Sequence, residues 1–103
     1  LGITFKENCP DVRNSKTVDL IKSLKDYGIN ISIHDPWANE DEVKLEYGLE
    51  SSKSIPKMKF NAIVLAVSHN QFRELDFLSL KKKNAIVYDV KNFLKNSLVD
   101  HNL

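Results

Sequence analysis

The chain has 103 residues, 42% apolar, 9% aromatic and 28% charged, enough for one modest core and so for a single domain over 1–103. Basic and acidic residues nearly balance, leaving a formal charge of +1, which argues against a general nucleic-acid binder with one basic face. No apolar run is long enough for a membrane span, no signal-peptide pattern is present, and a lone cysteine excludes an internal disulfide framework and points to a reducing, cytoplasmic setting.

In chain order, Leu1-Gly2-Ile3-Thr4-Phe5 reads as the tail of a buried strand with no initiator Met before it. The chain is therefore expected to be a piece of a longer protein. Val18, Ile21 and Leu24, with Leu20 and Tyr27, recur at spacings of three and four and predict a helix over 15–27, capped by Asn14 or Ser15 and ended by Gly28. Residues 29–35 alternate and predict a strand nearer an edge. A short acidic helix is expected over 39–47, stopped by Gly48. Residues 60–67 and 85–90 are apolar and β-branched, as strands buried on both faces are. Phe72, Leu75, Leu78 and Leu80 suggest helical or irregular packing between them. The order β-α-β-α-β-α-β predicts an α/β, Rossmann-like three-layer domain with a mostly parallel sheet.

In such a sheet, ligands bind beyond the carboxyl ends of the strands, near a topological switch point. The candidate segments are then 4–15, 34–37, 67–72 and 89–93. The first is the richest, because it leads into a helix N-terminus, which attracts anions, and it carries Lys6 and Arg13. These cations suit a phosphorylated ligand; they also fit solvated loop charges paired with Glu7 and Asp11.

The string Gly2-Ile3-Thr4-Phe5-Lys6-Glu7-Asn8-Cys9-Pro10-Asp11-Val12-Arg13-Asn14-Ser15 resembles the Gly-x-x-[Phe/Tyr]-Lys-x-x-x-x-Asp-x-Arg-x-Ser signature of the UDP-glucose/GDP-mannose dehydrogenase family. That signature opens the family's C-terminal domain. His34-Asp35-Pro36, Ala66-Val67-Ser68-His69 with Phe72, and Asp89-Val90-Lys91-Asn92 agree in order and spacing. Within the family, Thr4-Phe5-Lys6-Glu7-Asn8-Cys9-Pro10-Asp11 looks most like the bacterial branch acting on UDP-N-acetylhexosamines for surface polysaccharides.

The resemblance implies oxidation of the C6 alcohol of a nucleotide sugar to a carboxylate, by two hydride transfers to NAD and through a thioester on a cysteine. That cysteine and the Gly-rich NAD-binding turn lie upstream in the family, so no catalytic residue is expected in this chain. Phe5 and Lys6 match positions that contact the nucleotide sugar, and Arg13 matches an arginine reaching the NAD. Lys91 stands where the UDP-glucose branch has an arginine, exchanging a bidentate phosphate fork for a point charge. The implied partners are a UDP-sugar, the N-terminal and central domains of the same enzyme, and a second copy in a homo-oligomer.

Beside these stand plainer readings. Cys9 reads as a non-catalytic loop thiol, with no histidine close in sequence to activate it. His34, His69 and His101 lack metal-site spacing, and His69 fits a strand-end residue better than one lining the cleft. Asp35 falls where a dinucleotide-binding domain keeps an acid for the ribose, but Gly-x-Gly-x-x-Gly is missing after the first strand, so independent NAD binding is not expected. Trp37 suits packing or an interdomain contact equally. Lys81-Lys82-Lys83 reads as a solvated turn. The rival functions are a flavodoxin-like receiver or interaction domain, which would cluster acids at its strand ends, and another Rossmann-like nucleotide-binding module, such as one for coenzyme A, which would want glycines in the first loop.

Overall fold

The apolar stripe along the first helical stretch folds as α1 (Thr17–Asp26), burying Val18 and Ile21. The computed structural model describes residues 1–55, 57–90 and 101–102. Neither Asn14 nor Ser15 caps α1: the N-cap is Lys16, which makes no side-chain capping bond. Helix α2 (Glu40–Tyr47) begins where Asn39 Oδ1 accepts from the Asp41 and Glu42 amides at 2.9 and 3.1 Å. It ends at Gly48, whose φ of 69° is the left-handed conformation that closes helices. Its acidic first turn complements the helix dipole.

The sheet contains β1 (Phe60–Leu65), β2 (Lys81–Asp89) and β3 (His101–Asn102), all parallel and in that spatial order. A 3-10 turn, Asn70–Glu74, and the short helix α3 (Phe77–Leu80) connect β1 to β2. Two features depart from expectation. Lys81–Lys83 are not a turn before the strand but its first residues, with Lys81 paired to Phe60. The register then slips between Phe60 and Ala62, and Asn84 takes up the irregularity at φ 66°. Strand β3 was not foreseen, because two residues carry no periodicity.

The first two expected strands persist as hydrogen-bonded extended chain without a regular ladder. The Leu1 nitrogen donates to the Val64 carbonyl at 2.6 Å, the Ala66 amide donates to Leu1 O at 3.0 Å, and the Gly2 amide donates to His34 O at 2.9 Å. His34 in turn bridges to Ser52 in parallel. Residues 29–35 form no regular strand, and their expected place near an edge is corrected: Gly2 lies on one side, and on the other the Ser52 amide donates to Ile33 O at 3.0 Å while the Asp35 amide donates to Ser52 O at 2.9 Å. In chain order the spatial arrangement is therefore second, first, third, fourth, fifth. This is the doubly wound order whose switch point lies between the first and third strands, and it confirms the α/β, Rossmann-like class.

Two buried clusters form, but β1 and β2 are not buried on both faces as their apolar runs suggested: Ala62 is exposed and Ile86 is 45% exposed. Ile3, Val12, Val18, Ile21, Ile33, Ala38, Val43 and Leu49 make one cluster joining α1 and α2 to the first two strand segments. Phe77 of α3 packs with Ile63 and Val87 in the other. Ala62 and Val64, pointing opposite to Ile63 in the pleat, line an apolar groove with Leu20, Ile21 and Leu24 of α1. Gly2 makes this layout possible. A Cβ there would lie 2.5 Å from Val67 Cβ, and its φ is +89°, so only glycine lets the first segment pass the end of β1 this closely.

Candidate nucleotide-binding site

The loop leaving the first strand segment separates two clefts. One, of about 460 Å3, lies at the switch point between residues 4–6 and 66–67. Phe5, Lys6, Asn14, Lys16 and Thr17 line it, with Leu20 and Val90 completing the wall. It presents two lysines and no carboxylate among its lining residues. Phe5 is 55% exposed, a large ring left open beside the cations. The uncapped start of α1 also borders this cleft, so backbone N–H groups and lysines act on it with the same sign.

The second cleft, about 470 Å3, is lined by Cys9 to Arg13 and by Glu42, Leu45 and Glu46 of α2. Lys6 and Arg13, read together from the sequence, thus open into different clefts. Arg13 is engaged with Asp11: Nε and Nη2 donate to its two carboxylate oxygens at 3.0 and 3.2 Å. The Arg13 side-chain bond holds the Asp11 carboxyl below its usual range, and the carboxylate raises the guanidinium in return. The pair is exposed, so it stabilises the fold little, but it orients Arg13. Asp11 occupies the Nε–Nη2 edge and leaves the Nη1 end directed away. Tyr47, which sequence reading passed over, fixes the same turn: its hydroxyl donates to Val12 O and accepts from the Ser15 amide.

Behind the first cleft lies a buried polar centre built on Asp35, which is 1% exposed. Its Oδ2 accepts from the Ile3 and Thr4 amides at 2.7 and 3.2 Å, and its Oδ1 from the Trp37 and Ala38 amides at 2.8 and 3.1 Å. His69 Nε2, 2.9 Å from Oδ2, adds a fifth partner. Burial works to raise the Asp35 pKa, but the bonds from His69 and the Ile3 amide outweigh it and hold the carboxyl below its ordinary value. A carboxylate so fully committed has no lone pair left for a ribose, and the glycines of a dinucleotide cradle are absent from the loop. The residues present do not fit an independent NAD site.

Asp89 is likewise buried, so neither strand-end acid is accessible in the way a receiver domain requires. Cys9 is partly exposed beside Arg13, and among the described residues no group of three His, Cys, Asp or Glu could hold a metal. Trp37, half-buried, donates from Nε1 to Gln71 at 3.0 Å and lies 6.1 Å, ring to ring, from His69. Lys91, together with Asn92 and Phe93, lies outside the described residues.

The strand order and the acid-free cationic cleft at its switch point define an α/β domain suited to an anionic ligand beyond its strand ends. The chain belongs to the UDP-glucose/GDP-mannose dehydrogenase family, matching its UDP-binding domain over residues 1–96. It is 39% identical over 97 residues to UDP-N-acetyl-D-glucosamine 6-dehydrogenase of Salmonella typhi, covering 91% of this chain and 23% of that protein. It is 35% identical over 103 residues to the Pseudomonas aeruginosa enzyme of the same name, covering 97% and 24%. Protein CapL of Staphylococcus aureus is 37% identical over 98 residues, covering 93% and 23%. The chain thus spans about a quarter of the length of these relatives. Among the described residues, no helix is long and apolar enough to cross a membrane.

Proposed function

We propose that this domain holds the UDP part of a nucleotide sugar within a longer NAD-dependent 6-dehydrogenase, one that oxidises the C6 alcohol to a uronic acid for surface polysaccharide synthesis in the cytoplasm. The observation that carries this reading is the switch-point cleft with two lysines, an open aromatic ring and no carboxylate. Lys6 meets the diphosphate as a point charge, with Lys16 and the start of α1 reinforcing it. Phe5 offers its face to the base or sugar. Lys91 adds a further charge to the same ligand.

Arg13 serves the other cleft. With Nε and Nη2 held by Asp11, Arg13 would supply a charged donor to NAD, which would be held mainly by the N-terminal domain. The hydride chemistry and the cysteine nucleophile belong to the domains this chain would meet, and the whole enzyme works as a homo-oligomer. The relatives named for UDP-N-acetyl-D-glucosamine support an N-acetylhexosamine as the sugar.

Calorimetric titration of the 103-residue chain tests the site. UDP is expected to bind, and NAD to bind far more weakly. Lys6→Ala is expected to weaken UDP about tenfold, or about 1.4 kcal/mol. Unchanged UDP affinity in that variant would remove Lys6 from the site. NADH production from any UDP-sugar by this chain alone would overturn the placement of the nucleophile elsewhere.

A further inference from the structure

We propose that His69 is a positioning residue that sets the conformation of the Phe5–Lys6 loop and thereby the affinity of the cleft for a nucleoside diphosphate. The proposal rests on the reading of that cleft as the UDP site.

His69 is wholly buried, and its two ring nitrogens reach opposite ends of one loop. Nδ1 accepts from the Asn8 amide at 2.8 Å. An acceptor Nδ1 places the ring proton of the neutral imidazole on Nε2, which points at Asp35 Oδ2 at 2.9 Å and Thr4 Oγ1 at 3.1 Å. Thr4 Oγ1 passes the connection onward by donating to the Lys6 carbonyl at 3.0 Å. The far end is gripped a second time, because the Asn70 amide donates to Asn8 Oδ1 at 2.9 Å. Asn8 itself sits at φ 54°, in the left-handed region that asparagine enters more readily than most residues, and its amide and side chain are both bonded there.

The loop is thus held at Thr4, at the Lys6 carbonyl and at Asn8, while the Phe5 and Lys6 side chains between these anchors remain exposed. Trp37 and Phe72, at ring distances of 6.1 and 5.5 Å, pack beside the imidazole. A ring enclosed this way, with both nitrogens engaged, is not available to touch substrate. Its action on the cleft runs through the backbone of 4–8.

Two conservative substitutions divide its roles. His69→Gln can place an amide donor near the position of Nε2, keeping Asp35 and Thr4 partnered while losing the acceptor for Asn8. His69→Asn can place an acceptor near Nδ1, keeping Asn8 while dropping the donor to Asp35. In the 103-residue chain, His69→Gln is expected to melt close to the parent, to lose at least tenfold amide-exchange protection at Asn8 with α1 unchanged, and to bind UDP at least fivefold more weakly. His69→Asn is expected to melt lower yet to keep Asn8 protection and UDP affinity below its transition. Thr4→Val, which removes the hydroxyl bridge to Lys6, is expected to weaken UDP several-fold, and it carries the test if His69→Gln does not fold.

Parent-like Asn8 protection and UDP affinity in His69→Gln would overturn the proposal. So would affinity losses that merely follow melting temperature across the variants, or an unchanged affinity in Thr4→Val. Failure of the underlying reading looks different: the parent chain would not bind UDP, while loss of Asn8 protection in His69→Gln would still show the loop anchored by this histidine.

Discussion

Two buried side chains make the fold sensitive to acid in separate pH ranges. His34 Nδ1 donates to the Ser54 carbonyl at 2.9 Å, and burial lowers its pKa from the ordinary 6.5. The unfolded chain then binds the proton more readily, so the contribution of His34 is complete above pH 6.5 and is lost as pH falls through its folded value. Asp35 follows the same sign lower down: its carboxyl lies below the ordinary 3.8, so its contribution is complete above 3.8 and is lost beneath it. Burial likewise lowers the Leu1 amino group from 8.0 to about 6, so urea denaturation of this chain is expected to show stability declining below pH 8, more steeply below 6.5 and further below 3.8. His34→Gln is expected to reduce the decline that sets in at 6.5, leaving the part due to the Leu1 amino group and the one below 3.8. An unaltered decline in that variant would assign it to another group.

The elements differ in how local their causes are. Helix α2 was legible almost to the residue, because its cap, its acidic first turn and its terminating glycine lie within ten consecutive positions. Asn39→Ala is expected to cost about 1 kcal/mol in chemical denaturation by removing the one oxygen that accepts from the Asp41 and Glu42 amides. The start of α1 was misread because Asn14 and Ser15 are both good caps by type, yet Asn14 adopts φ 57° and Ser15 turns its amide toward Tyr47. The Phe5-Lys6 motif was legible as a string. Its support was not, since Thr4, Asn8, Asp35 and His69 come together across as many as 65 positions and share no periodicity. Nor could sequence order tell that Lys6 and Arg13 would open to different clefts, a separation made by the path of the chain between them.

For the molecule as a whole, a formal charge of +1 gives no long-range attraction for an anion. On the proposed reading, UDP is drawn by the local asymmetry between the lysine-lined cleft and the acid-rich flank of α2. Exposed charges are screened within about 8 Å at physiological salt. UDP affinity is therefore expected to fall several-fold between 50 and 500 mM NaCl, an interval chosen to span roughly that screening length, while uridine, lacking phosphates, changes little. Equal salt dependence for the two ligands would contradict recognition through the diphosphate.

The placement of residues 1–3 between His34 and the end of β1 also governs how the molecule comes together. Their backbone partners lie 63 positions away at Val64, so the centre of the sheet can be completed only by closing most of the chain into a loop. Such closure costs entropy before any contact rewards it, and it slows folding. Helix α2, whose capping contacts span only a few residues, can form early. The Phe5–Lys6 loop follows directly on the first segment, so its shape depends on that segment being threaded between His34 and the end of β1.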